Sequence, residues 1–117
     1  MDTSAPSGAW ELEHLEGAPA DAPRRPTMEF SGDGIAGSSG CNRFSARRQT
    51  DPNVAAYFRE GIALTRMACP GPAMEMERLF IAALGRTADI RVENGLLRVF
   101  DAANQEIMRF RPAPAAS

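Results

Sequence analysis

Residues 72–100 read PAMEMERLFIAALGRTADIRVENGLLRVF, and within them the hydrophobic period changes once. Up to Leu84 the period is helical. Met76, Leu79, Phe80, Ala83 and Leu84 fall at i, i+3, i+4, i+7 and i+8, which is a single apolar stripe. Pro72 suits the first helical position, where its missing N–H costs nothing. Glu75 and Glu77 suit the positive end of the helix macrodipole, and Gly85 is placed for a left-handed C-terminal cap. The spacing predicts a helix over residues 72–84 with that stripe inward. From Ala88 onward the period is two. Asn94-Gly95 has the chemistry of a type I′ hairpin turn, and a two-residue loop fixes the register. Glu93 then faces Leu96, Val92 faces Leu97, Arg91 faces Arg98 and Ile90 faces Val99. Ile90, Val92, Leu97 and Val99 share one face, as a core-facing side requires.

Working outward, Asp101–Asn104 is a turn, and Gln105–Arg111 reads as a last strand with Met108 and Phe110 inward. Toward the N-terminus, Ala9–Leu15 reads as a first strand with Trp10 and Leu12 inward. Gly17–Pro26 holds three prolines and is expected to be a loop. Thr27–Ser31 is a short strand, Gly32-Asp33-Gly34 a turn, and Gly37-Ser38-Ser39-Gly40 a flexible stretch. Ser45–Thr50, Val54–Glu60 and Ile62–Thr65 have strand composition, with Gly61 between the last two. The order is strands, one helix, then three antiparallel strands, which is an α+β class.

The chain has 117 residues, enough for one domain. Net charge is −2, so no global field draws it toward nucleic acid or an anionic membrane. All 13 basic residues are arginine. Bidentate phosphate or carboxylate recognition would use arginine. Codon bias in a GC-rich genome explains the same choice, and the abundance of Ala, Gly and Pro favours it. No apolar run reaches the 18 residues of a transmembrane helix. Residues 1–8 have neither the basic nor the apolar region of a signal peptide. Location in the cell envelope or periplasm is therefore expected if a leader precedes Met1 in the native gene, and a cytoplasmic location otherwise. Residues 1–8 and 112–117 are small and Pro/Ala-rich and are expected to be disordered, leaving a domain over 9–111.

Two segments have a specific pattern when taken together: Gly37-Ser38-Ser39-Gly40-Cys41-Asn42-Arg43-Phe44, and Leu64-Thr65-Arg66-Met67-Ala68-Cys69 followed by Met74, Glu77, Phe80 and Leu84. They resemble the META/HslJ-like family, whose hallmark is a glycine-rich approach to Gly-Cys-Asn-x-Phe and then Thr-Arg-Met-x-Cys before a helix. Trp10 and Leu12 fit the family's opening strand and Phe110 its closing one. The chain departs from the family pattern at Ala46 and Arg48, where members often carry glycine and tyrosine. The resemblance implies one domain with a curved, mostly antiparallel β-sheet packed on one helix. It also implies a bacterial cell-envelope or heat-shock association, and brings no catalytic residues with it.

Cys41 and Cys69 are the two cysteines, and His14 is the one histidine. A nucleophilic cysteine wants a base nearby and a zinc site wants three or four ligands; neither arrangement is signalled. A Cys41–Cys69 disulfide and two buried thiols are the structural readings, and flanking turn residues favour the bridge. Asn42 and Thr65 are expected to tie down turn backbone, with Gly40, Phe44 and Met67 as further structural positions. Gly37 and Gly40 suit positive φ or close backbone approach. Glu75 and Glu77 point different ways on a helix and form no acid/base pair. Of the six methionines, Met76 and Met108 fit core positions and Met1 is the initiator, so core filling is favoured over a metal site or an adaptable surface. Arg91, Arg98 and Arg109 should share the outward face of the last strands. That row is either an anion-binding face or a solvated one balanced by Glu93 and Glu106.

No catalytic site and no cofactor are expected. The leading expectation is a non-enzymatic, monomeric envelope or stress-related domain that binds a protein or envelope component. Nucleic acid is not an expected partner. The alternative is a small-molecule module with a pocket between sheet and helix, and a cysteine-dependent enzyme ranks last.

Overall fold

The computed structural model describes residues 8–16, 18–19, 25–31, 34–47, 58 and 61–113. It is an α+β domain in which one helix packs against an open antiparallel sheet. The strands are β1 (Gly8–Leu15), β2 (Ala18–Pro19), β3 (Thr27–Ser31), β4 (Gly34–Ser38), β5 (Arg43–Arg47) and β6 (Ala63–Leu64). Helix α1 (Gly71–Gly85) follows, then β7 (Asp89–Glu93), β8 (Leu96–Phe100) and β9 (Glu106–Pro112). The sheet order is β6-β5-β4-β3-β1-β9-β8-β7, with β2 paired to β1 beside that path.

The C-terminal hairpin has the register its turn dictates: Ile90 opposite Val99, Arg91 opposite Arg98, Val92 opposite Leu97 and Glu93 opposite Leu96. Asn94 and Gly95 take φ of 54° and 78°, as a type I′ turn requires. Leu97 and Val99 are buried, but Val92 is 50% exposed. β7 is the last strand on its side, so its far end extends past the core. Two register shifts set which side chains turn inward. Leu12 faces Phe110 and His14 faces Arg109, so Glu13 is the extra residue of a bulge. The alternation set by Trp10 and Leu12 therefore breaks after Leu12, and Leu15 turns inward while His14 lies on the outer face beside Arg109. A second shift lies between Val99 and Phe100, opposite Met108 and Glu106, and it buries both Ile107 and Met108.

Several boundaries differ from the sequence reading. Gly37 and Ser38 are not flexible: they belong to β4 and pair with Met28 and Thr27. A Cβ on Gly37 would lie 2.0 Å from the Thr27 carbonyl oxygen, so close backbone approach is the reason for glycine there. β5 begins at Arg43 rather than Ser45, and residues 48–50 of the expected strand lie outside the described ones. The expected strand 54–60 also lies outside them except for Phe58, which is buried in the core. Of Ile62–Thr65, only Ala63 and Leu64 pair with β5. Ala18 and Pro19 pair with Leu15 and His14 inside the expected loop. The expected disordered ends lie outside the described residues apart from Gly8, Pro112 and Ala113. Gly8 and Pro112 are strand residues, opposite Phe30 and Trp10, and Ala113 N–H donates to the Ala9 carbonyl.

The helix is turned relative to its sequence stripe. Phe80, Ala83 and Leu84 are buried and Met76 is partly buried, but Leu79 is 37% exposed and Glu77 only 8% exposed. A polar attachment at Glu77, described below, rotates that side inward. Pro72 sits one position further into the helix than expected, because Gly71 opens it. Pro70 precedes the helix, and its carbonyl accepts from the Ala73 and Met74 N–H groups. Glu75 and Glu77 fall beyond the first turn, out of range of the macrodipole. Gly85 is helical rather than left-handed. The end is closed by Arg86 and Thr87 N–H donating to the Ala83 and Leu84 carbonyls.

Phe80 shows how the sheet wraps the helix. Its ring meets Phe44 of β5 edge-on at 5.5 Å and Phe110 of β9 at 6.3 Å. β5 and β9 are four strand steps apart, about 19 Å in a flat sheet. One ring can touch both only if the sheet curls around it. Replacing Phe80 with Ala should therefore cost about 3–5 kcal/mol, the upper range for a buried aromatic. Urea unfolding of the variant checks this; a loss under 1 kcal/mol would contradict the central position of the ring.

Candidate functional site

The two glycine- and cysteine-bearing segments meet at the N-terminal half of α1. The link from β4 to β5, Ser39–Asn42, is a tight turn: Ser39 N–H donates to the Asn42 carbonyl at 2.8 Å, and Gly40 takes φ of 99°. Ser38 and Ser39 hydroxyls accept from the Gly40 and Asn42 N–H groups. This closes the turn with short side chains.

Asn42 joins the turn to the extended segment after β6. Its Oδ1 accepts from the Met67 N–H at 2.6 Å and the Thr65 hydroxyl at 3.0 Å, and its Nδ2 donates to the Met67 carbonyl at 3.2 Å. Thr65 Oγ1 also accepts from Arg43 N–H at 3.0 Å, and Thr65 N–H donates back to the Arg43 carbonyl. Asn42 thus supplies to residues 65–67 the hydrogen bonds that a neighbouring strand would otherwise provide.

Glu77 brings in the helix. A single oxygen, Oε1, accepts from the Ser39 hydroxyl at 2.5 Å, Asn42 Nδ2 at 2.9 Å and Asn42 N–H at 3.2 Å. Burial pushes this carboxyl up. The Ser39 hydroxyl, the side-chain and backbone N–H of Asn42, and the charge of Arg66 outweigh that effect and hold it below the ordinary carboxylate value. Glu77 is therefore an ionised acceptor whose Oε1 takes three donors. The sequence alone suggested only a macrodipole role for Glu77 and a place in the glycine-rich segment for Ser39. The signal for Glu77 lay in its place among the residues that carry the family resemblance, not in its polarity.

Cys41 and Cys69 are joined across the same seam, with Cα atoms 6.0 Å apart and a separation of 28 positions in sequence. In the chain-entropy account such a loop contributes about 3–4 kcal/mol. Beside the bridge is a depression of about 340 Å³ lined by Gly40, Cys41, Met67, Cys69, Pro70, Pro72 and Ala73. Along the helix flank lies a more open cleft of about 630 Å³, lined by Leu64, Met74, Ile81 and Ala82 with Glu75, Glu77 and Arg78. Met67 is 57% and Met74 38% exposed, so these two methionines are not core filling. The space between sheet and helix holds Phe44, Phe80, Phe110 and Leu84 in close packing, and the concave surfaces lie outside it.

Arg91, Arg98 and Arg109 are consecutive partners across β7, β8 and β9, and His14 of β1 continues the row. Acidic side chains accompany each guanidinium. Asp89 meets Arg91 at 2.7 Å, Glu93 and Glu106 meet Arg98 at 2.9 and 2.6 Å, and Glu13 meets Arg109 at 3.4 Å. Arg91 and Arg98 also cover the Phe100 ring, at 4.1 and 5.3 Å from its centroid. An anion would have to displace these carboxylates, so the geometry favours the balanced face over the anion-binding one. Among the described residues no group of three or more His, Cys, Asp or Glu stands together to hold a metal, and no helix is long and apolar enough to cross a membrane.

The Glu77 contacts set a pH dependence. Its folded-state pKa lies below the unfolded one, so the stability it contributes is complete above about pH 4.5 and fades as the pH falls through the folded value. Glu77→Gln keeps an acceptor oxygen and removes the charge. It should cost about 1–2 kcal/mol at pH 7 and flatten the acid limb of the stability curve. Chemical denaturation from pH 3 to 7 measures both. An acid limb as steep as wild type would contradict an ionised Glu77.

The META domain family model matches residues 3–114. No curated protein matches the chain. Two solved NMR structures share the fold. One is 24% identical, covers 89% of this chain and 87% of its own, and superposes with a TM-score of 0.63. The other, a protein from Burkholderia xenovorans, is 18% identical, with coverage of 98% and 96% and a TM-score of 0.64.

Proposed function

The chain belongs to the META domain family, and from that premise we propose that it is a non-enzymatic bacterial cell-envelope or stress-related domain that binds a protein or another envelope component. The observation that carries this reading is the apolar flank of α1. Met67 and Met74 stand in solvent beside Leu64, Ile81 and Pro70, around two adjoining concave surfaces. Methionine is suited to such a surface because its unbranched, polarizable side chain adapts to different partners.

The polar residues that could have carried chemistry have other work. Ser39, Asn42, Thr65 and Glu77 saturate one another, and both cysteines are in the bridge. Their arrangement supports a binding role over a catalytic one. The bridge also supports an oxidising compartment such as the periplasm, where disulfides persist.

Capture from a bacterial envelope extract tests the reading. The wild-type domain should retain a partner, and a Met67→Glu/Met74→Glu variant should lose at least nine-tenths of it while melting within a few degrees of wild type. Both positions are exposed, so the fold should tolerate the charges. Equal capture by the variant would contradict this surface, and recovery of a small molecule in place of a protein or envelope component would favour the alternative binding module.

A further inference from the structure

Of the six methionines and two cysteines in the chain, two of each meet at one place. Cys41 Sγ is bonded to Cys69 Sγ and lies 3.6 Å from the Met74 thioether. Met67 lines the same depression as the bridge. Core packing accounts for Met28 and Met108, which are buried, but not for Met67 and Met74. Nor does the disulfide need a thioether beside it.

We propose that the reduced protein binds one soft monovalent metal ion, copper(I) in its chemistry, through the thiolates of Cys41 and Cys69 and the thioether of Met74. The bridged form is the closed, metal-free state of this site.

The donor set selects the ion. Thiolate and thioether sulfur favour copper(I), whereas zinc adds a fourth ligand and accepts imidazole or carboxylate. Among the described residues both kinds of group nearby are engaged or distant: Oε1 of Glu77 already takes three donors, Glu75 is paired with Arg78, and His14 lies on the outer face of β1 beside Arg109. The spacing also fits. Three sulfurs around one metal with bonds of about 2.3 Å stand about 4 Å apart. Met74 and Cys41 are already near that separation, and a 6.0 Å Cα spacing lets the two freed thiolates reach it by side-chain rotation. Asn42 Nδ2 lies 3.4 Å from Cys41 Sγ, so the amide's positive end faces the position of a thiolate there.

Opening the site needs a dithiol reductant. One of its thiolates attacks a sulfur of the bridge, and its second thiol resolves the mixed disulfide. Two electrons and two protons pass to Cys41 and Cys69, and the reductant leaves as a disulfide. Copper(I) then displaces both thiol protons to solvent, while Met74 donates a lone pair and releases no proton.

The test is an anaerobic copper(I) titration of the full chain in competition with a chromophoric copper(I) chelator. Reduced wild type should bind one equivalent and the oxidised protein should not compete. Met74→Leu, at an exposed helix position, should bind at least ten-fold more weakly while its circular dichroism spectrum is unchanged. A tenfold excess of zinc should leave the copper in place. Met74→Leu binding as tightly as wild type, displacement by zinc, or equal binding by the oxidised protein would each overturn the assignment.

Discussion

One carboxylate oxygen connects the parts of this domain that secondary structure does not. Oε1 of Glu77 accepts the Ser39 hydroxyl and both the side-chain and backbone N–H of Asn42, and Asn42 in turn holds Thr65 and Met67. Three chain segments that form no common ladder are thereby locked together: the turn between β4 and β5, the extended stretch after β6, and the helix. A buried carboxylate is tolerable only when donors compensate it, and here three converge on one oxygen. The parts are interdependent. Without Glu77 the turn loses its link to the helix, and without Asn42 the carboxylate loses two of the three donors on Oε1.

The apolar core depends on the same attachment. α1 must lie along the sheet at the angle that puts Phe80 between Phe44 and Phe110, while the strands curl to reach it from both sides. Glu77 is one helical turn before Phe80 on the inward side, so fixing the first positions the second. The Cys41–Cys69 bridge crosses the same seam covalently. The polar node orients the helix, the bridge limits how far the seam can open when the chain unfolds, and the aromatic cluster joins the helix to both sides of the sheet within the buried core.

The sequence revealed what is local and concealed what is not. The hairpin from Asp89 to Phe100 was legible to the residue because Asn94-Gly95 sets the register through backbone geometry alone. The helix was legible in extent but not in rotation. A count of apolar positions assigns Leu79 inward and Glu77 outward, and the structure exchanges them because Glu77 has partners 35 and 38 positions away. The bulge at Glu13 was equally hidden: it depends on how β1 meets β9, almost one hundred residues later. Gly37 read both as part of a flexible stretch and as a place of close backbone approach, and the second reading holds. It is fixed because the Thr27 carbonyl leaves no room for a side chain. At the candidate site, Asn42, Thr65 and both cysteines were legible as structural positions, whereas Ser39 and the outward sulfur of Met74 become meaningful only once the segments are brought together.

Backbone amides in Asn42 and Met67 lie outside regular secondary structure, yet each donates into this node. Native-state hydrogen exchange by NMR tests most directly whether the node holds the fold together. If it does, both amides exchange only through global unfolding, with the same free energy and denaturant dependence as the buried strand amides of Leu97 and Phe110. Exchange through a low-energy local opening, at rates like those of an exposed loop, would mean that the sheet and helix stand without the node and would contradict the account.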